Sequence, residues 1–136
     1  MLAKDIKAFD AFVIRSAEAY LNKAEAQAMQ GKSEAIQTLK TLLENRFENG
    51  EIPTSIDGLQ GENLVRFIRE ERRRELCFEC HRWFDLRRCG MPEMIHEVTI
   101  NKGQVQEYRL AKGSDRYVLP IPKKVLDKNP ALVQNP

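Results

Sequence analysis

Five residues invite a chemical reading first. Cys77-Phe78-Glu79-Cys80-His81 is a C-x-x-C-H string, the pattern in which two thiols hold a haem edge and the following imidazole ligates its iron. Covalent haem would need both thiols exposed and a second axial ligand from His96, Met91 or Met94. A zinc set would draw on Cys77, Cys80, His81 and Cys89 or His96. A structural zinc site asks for a second close ligand pair, and the chain offers no clean one. Cysteine beside histidine is also the pairing of a thiol nucleophile with its base, but the two residue types meet too often to carry weight alone. The plainer reading is favoured: these cysteines lie beside Phe78, Trp83 and Phe84 in a helical stretch and serve as small buried hydrophobes. No cofactor and no metal is expected. There is no Walker loop, dinucleotide glycine pattern or G-x-S-x-G, so the chain is read as non-enzymatic.

Seven consecutive charged residues, Arg69 to Glu75, run directly into this string. Arg66, Arg69, Arg72, Arg73 and Arg74, with Arg82, Arg87 and Arg88 further on, would suit a phosphate stripe. Glu70, Glu71, Glu75, Glu79 and Asp85 are interleaved, however, and Glu70–Arg74 and Arg82–Asp85 fall at helix-pairing distance. A self-neutralising solvated face is the better account, and the net charge of only +2 gives no reason to expect nucleic acid.

These residues need a helix to position them. From about Glu62 to Arg88 no Gly or Pro interrupts the chain, and Arg, Glu and Leu are good helix formers. The spacing predicts one long central helix, stopped by Gly90 and Pro92, with any break falling near His81. Ile68, Arg72, Leu76, Cys80 and Phe84 recur at every fourth position, with Trp83 on the same side. An arginine within an apolar stripe must reach a carboxylate or snorkel out. The partner acids are found upstream. A first helix over about Asp10–Gln30 carries Glu18 and Glu25, seven apart and on one side, beside a small-residue face of Val13, Ala17, Tyr20, Ala24 and Ala28. Gly31 closes it, Ser33 reads as the N-cap of a second helix, and Ile36, Leu39, Leu43 and Phe47 repeat at helical spacing. Together these form an αα-hairpin of tetratricopeptide type.

The remainder is less regular. Glu48 to Gly61 reads as a loop. Glu97–Ile100 and Gln104–Leu110 flank Asn101-Lys102-Gly103, a hairpin signal. From Tyr117 onward Pro120, Pro122, Pro130 and Pro136 set an extended tail, with one short helical turn starting at Pro122. The fold class is therefore mainly α: the helical hairpin, the long central helix, a small β-hairpin and the proline-set tail. At 136 residues, with 42% hydrophobic and 31% charged content, the chain suits a single domain, 1–136. No apolar run approaches the length of about 20 residues that spans a membrane, and three cysteines do not make a disulfide framework.

ERRREL, FECHRWFDLRR, YVLPIP and KNPALVQNP, in that order and preceded by VIRSAEAYLNKAEA, resemble the C-terminal part of SusD/RagB proteins. The resemblance covers most of the chain. It implies a non-enzymatic, nutrient- or oligosaccharide-binding, lipid-anchored outer-membrane protein that serves a TonB-dependent transporter, with the signal and anchor encoded upstream of a fragment several times shorter than its relatives. It assigns no ligand-binding residue here, and it makes the RWFDL segment architectural. Cys80 stands where such proteins usually carry a glycine, and Lys124 where they carry an acid. The alternative is a free-standing helical scaffold for protein–protein contact.

Four residues carry structural expectations. Arg72 or a neighbouring arginine should meet Glu18 or Glu25, because arginine prefers carboxylate pairing. Trp83 should be largely buried against the first helical hairpin. Apolar residues on a second side of the first helix, Ile14, Leu21 and Ala28, predict self-association as a two-fold dimer.

Overall fold

The computed structural model describes residues 15–101 and 103–135. The expected start of the first helix at Asp10, with Val13 and Ile14, lies outside the described residues, as do Lys102 of the hairpin turn and Pro136. The chain divides into two compact units, Met1–Cys77 and Phe78–Pro136. Its helices and one small antiparallel hairpin make it mainly α, as the periodicities predict.

In the first unit, α1 (Ser16–Met29) packs against both α2 (Glu34–Leu43) and α3 (Gly61–Glu75). Ala17, Leu21, Ala24 and Ala28 are the buried apolar positions of α1, and the three alanines let the neighbouring helices approach closely. Tyr20, expected on this face, is exposed, while Leu21 and Ala28, expected on an open second side that would drive self-association, are buried because α2 and α3 both pack on α1. They meet Leu39, Ile56 and Ile68, all essentially inaccessible to water, in one core. Gly31, at φ +68, ends α1 with the Gly31 N–H donating to Ala28 O and Lys32 N–H to Gln27 O. That pair of bonds satisfies two end carbonyls and needs the left-handed residue that glycine tolerates. Thr38 adds a cross-helix hydroxyl donation to Gln27 Oε1 at 2.7 Å.

Two details of the helical hairpin differ from expectation. Ser33 occupies the N-cap position of α2 in a helical backbone conformation, and its hydroxyl turns to the Glu34 carboxylate instead of the backbone. Capping requires an extended φ/ψ, which the tight α1–α2 turn does not allow there. Phe47, expected on the apolar stripe of α2, is 41% exposed because the helix ends at Leu43.

The long central helix is two helices. α3 ends at Glu75, and α4 (His81–Arg88) begins after a turn in which Phe78 and Cys80 take φ +65 and +61. Left-handed residues cannot continue a right-handed helix. Cys80 therefore adopts a conformation that a glycine takes without strain. The apolar stripe survives through Ile68, Arg72 and Leu76 and is lost beyond the turn, where Cys80 and Phe84 are exposed.

In the second unit, β1 (Met94–Asn101) and β2 (Gln104–Leu110) pair antiparallel, from Met94 opposite Leu110 to Asn101 opposite Gln104, with an irregularity between Thr99 and Asn101. Almost every residue of both strands is exposed. The unit is anchored by Tyr117, fully buried, whose hydroxyl donates to the Pro92 carbonyl and whose ring stacks on Trp83 at a 5.1 Å centroid separation. Trp83 is largely but not fully buried, and its ring contact is with Tyr117. After α5 (Lys123–Leu126), the tail returns on itself. The Gln134 side-chain amide accepts from Ile121 N–H and donates to Ile121 O, and Asn135 Nδ2 donates to Leu119 O. One side-chain amide there imitates a paired strand residue.

Candidate functional site

Polar side chains concentrate in a seam between α1 and α3. On α1, Glu18, Asn22 and Glu25 follow at intervals of four and three, which keeps them on one stripe. On α3, Arg69 and Arg72 are three apart and face that stripe. Arg69 Nε donates to Glu25 Oε1 at 2.7 Å. Arg72 Nη1 donates to Asn22 Oδ1 at 2.7 Å, and Arg72 Nη2 lies 3.4 Å from Glu18 Oε1. Glu25 is 3% and Arg72 6% exposed. Charges this deep are tolerable only when hydrogen-bonded, since the loss of hydration outweighs a bare Coulomb attraction. The expected meeting of arginines with Glu18 and Glu25 is therefore laid out across two arginines, with an asparagine between the acids.

The seam ends in a second cluster that periodicity does not reveal. Arg46 grips Glu75 with two bonds, Nε to Oε2 and Nη2 to Oε1, each 2.8 Å. Arg15 donates to Glu75 Oε1 at 3.2 Å and to the Glu75 carbonyl at 2.8 Å. The hydrogen bond from Arg46, with the charges of Arg46 and Arg15, holds the Glu75 carboxyl below the ordinary glutamate range against the opposing effect of burial. Arg46 is correspondingly raised, first by its bond to Glu75. Arg46 follows the end of α2 and Arg15 precedes α1, so no helical repeat marks either one. Asn22 was not singled out from the sequence, although its place four residues after Glu18 puts it on the same stripe.

Two open depressions lie among the described residues of the first unit. One, of about 340 Å³, lies where α1 ends and α2 and α3 begin, with Ala28, Ile36, Leu59, Gln60 and Leu64 in its wall. The other, of about 240 Å³, is walled by Leu42, Leu43, Phe47, Glu71 and the Arg46–Glu75 pair. The chemistry of the seam is that of a clamp: its carboxylates are engaged by guanidinium groups, and no nucleophile stands beside a base there.

The charge run on the outer side of α3 pairs at three-residue intervals. Arg74 meets Glu71, and Arg73 lies 3.5 Å from Glu70. In α4, Asp85 accepts from Arg88 Nε at 2.9 Å. Arg74, expected to pair with Glu70, bonds Glu71 and feels the charge of Glu70. The cysteine reading is corrected more sharply. Cys77 and Cys80 are exposed, Cys89 is half-buried, and all three are free thiols. The turn that interrupts the helix carries Cys80 out of the apolar stripe and leaves Cys77 facing water. Among the described residues, no three His, Cys, Asp or Glu side chains gather as a metal set.

Comparison with known proteins gives the same direction as the motifs. The model of the SusD family matches residues 4–136. SusD-like protein P2 of Formosa agariphila is 35% identical over 127 residues, covering 90% of this chain and 24% of that protein. SusD-like protein P25 of the same organism is 30% identical over 129 residues, covering 90% of this chain and 23% of that protein. The chain thus spans about a quarter of the length of the curated relatives it matches. No helix among the described residues is long and apolar enough to cross a membrane.

Proposed function

The chain belongs to the SusD family, and from that premise we propose that it is the C-terminal portion of a non-enzymatic, surface-lipoprotein component of an outer-membrane nutrient-uptake system. In this reading the full-length protein captures an oligosaccharide or other nutrient and delivers it to a TonB-dependent transporter. The observation that carries it is the family match along residues 4–136, reinforced by two SusD-like relatives aligned over 90% of the chain. Residues 1–136 act as a single domain of that protein, and two-fold self-association is part of the same proposal.

Glu18, Glu25 and Arg72 have a structural role in this reading, as does Trp83. The α1–α3 seam holds those two helices in register, and the Trp83–Tyr117 stack holds the second unit together. The seam is a reason to regard the chain as scaffold and to look for ligand contacts elsewhere in the full-length protein. Binding of the full-length protein to an array of glycans, with co-purification of its transporter from outer membranes, is the test. Absence of glycan or other nutrient binding, together with specific capture of soluble proteins, would favour a helical interaction scaffold instead.

A further inference from the structure

The β-hairpin has two uncovered edges, and they are not equivalent. β1 carries the irregularity between Thr99 and Asn101, a feature that twists an edge and discourages pairing. β2 runs regularly from Gln104 to Leu110 and contains neither proline nor lysine. It exposes Val105 and Tyr108 to more than half their full accessibility. A two-stranded hairpin alone is marginal in water, and further strands stabilise it.

The charges of β2 specify what can pair with it. Glu107 stands directly opposite Glu97 of β1, a like-charge cross-strand pair that disfavours the hairpin. On its open side Glu107 is best met by a cation. Antiparallel pairing of β2 with the same strand of a second copy, centred on Tyr108, sets Glu107 opposite the partner's Arg109 and Arg109 opposite the partner's Glu107, each arginine then being shared with Glu93 of its own chain, to which it is bonded. It also brings Tyr108 against the partner's Tyr108 and Gln106 against the partner's Leu110. Centring one residue earlier would oppose Glu107 to the partner's Glu107, so the charges choose the register. β1 offers no equivalent: centring it on Val98 opposes Glu97 to the partner's Thr99.

From this arrangement we infer that the chain forms a two-fold dimer through β2, giving a four-stranded antiparallel sheet in the order β1-β2-β2-β1. This gives the dimer proposed above a surface other than the second side of the first helix. The interface is small, and the association is of the weak, concentration-dependent kind.

The test is sedimentation of the full chain over a wide concentration range, with reductant present because Cys77 and Cys80 are exposed. The wild type is expected to shift from 15.7 kDa toward twice that mass. Glu107→Arg and Arg109→Glu each place like charges together at two symmetric points and should weaken the dimer by roughly tenfold or more. The double swap Glu107→Arg/Arg109→Glu restores opposite charges at both points and should recover dimerisation. A chain that stays monomeric throughout overturns the inference. A dimer indifferent to both single reversals also overturns it while leaving two-fold association standing through another face. Failure of the double swap to restore what both single reversals lose overturns the register.

Discussion

Among the described residues, the first unit buries twelve apolar side chains and leaves three large ones exposed, whereas the second buries two and exposes eleven. The contrast shows two ways of stabilising a chain segment. In the first, α1 lies against two helices, its small residues bring them close, and the charged seam is admitted only because its members hydrogen-bond to one another. In the second, order rests on Tyr117 stacked on Trp83, on the Tyr117 hydroxyl holding Pro92, and on side-chain amides that bind the tail backbone. Burial scales with apolar area removed from water, so the two units should respond very differently to substitution.

The largest effect is expected at Arg72. Arg72→Ala removes a buried guanidinium from Asn22 and Glu18 and should cost about 3–5 kcal/mol, read by urea denaturation. The matching change in the second unit, Arg109→Ala, breaks an ion pair with Glu93 in which both side chains are more than 40% exposed, and should leave the denaturation midpoint nearly unchanged because water screens the pair. Equal losses at the two sites would break the comparison.

Trp83 comes next. A fully buried tryptophan would lose about 3–5 kcal/mol on truncation to alanine; largely but not fully buried against Tyr117, Trp83→Ala should lose roughly 2 kcal/mol. Trp83 is the only tryptophan, so its fluorescence follows the second unit while far-ultraviolet dichroism follows mainly α1, α2 and α3. If residues 1–136 are one cooperative domain, the two denaturation curves coincide. Separate midpoints would show that the units unfold independently.

A smaller effect of opposite sign is expected at Cys80. Cys80→Gly relieves a left-handed conformation that costs a side-chain-bearing residue about 1–2 kcal/mol, against the extra freedom glycine gains on unfolding. The net is a stabilisation of roughly 0.5–1 kcal/mol, read as a raised denaturation midpoint. A destabilised variant would mean that the Cys80 side chain contributes contacts that outweigh its strain.

The smallest expected effect concerns pH. The folded carboxyl of Glu75 is held below its unfolded value by Arg46, so its stabilisation is fully present above the ordinary glutamate pKa. It is lost as pH falls through the lowered folded value. Glu75→Gln should therefore flatten the acid side of the first unit's stability curve and leave the neutral limb with nearly the same slope. A wild-type acid limb unchanged by this substitution would remove Glu75 from the account.

Much of this architecture could be read from residue spacing. The intervals of Ala17, Ala24 and Ala28 and of Leu39 and Leu43 marked the packed faces of α1 and α2, because a buried helical face must repeat with the helix, whereas Tyr20 and Leu21 exchanged the sides that spacing suggested. Glu18 and Glu25 were visible as acids on one side, and Arg72 as a charge within an apolar stripe. The Cys77–His81 stretch was misread because strong helix formers surround it, and propensity carries no record of two residues forced to positive φ. Phe47 was misread for a related reason: a periodic pattern can outlast the helix that it describes.

Spacing and motif alone gave away the family, the mainly helical class, the place of the β-hairpin and the presence of an arginine in need of an acid. Each of these follows from local pattern or matched motif. Only the tertiary structure decided that Arg69 takes Glu25 while Arg72 takes Asn22 and Glu18, and that Arg46 and Arg15 converge on Glu75 from outside any helix. It also decided that Trp83 rests on Tyr117, thirty-four positions away, and that Cys77 and Cys80 face water. Those outcomes depend on which surfaces meet, and a guanidinium, an aromatic ring or a thiol carries no mark in its own neighbourhood of the distant group that will satisfy it.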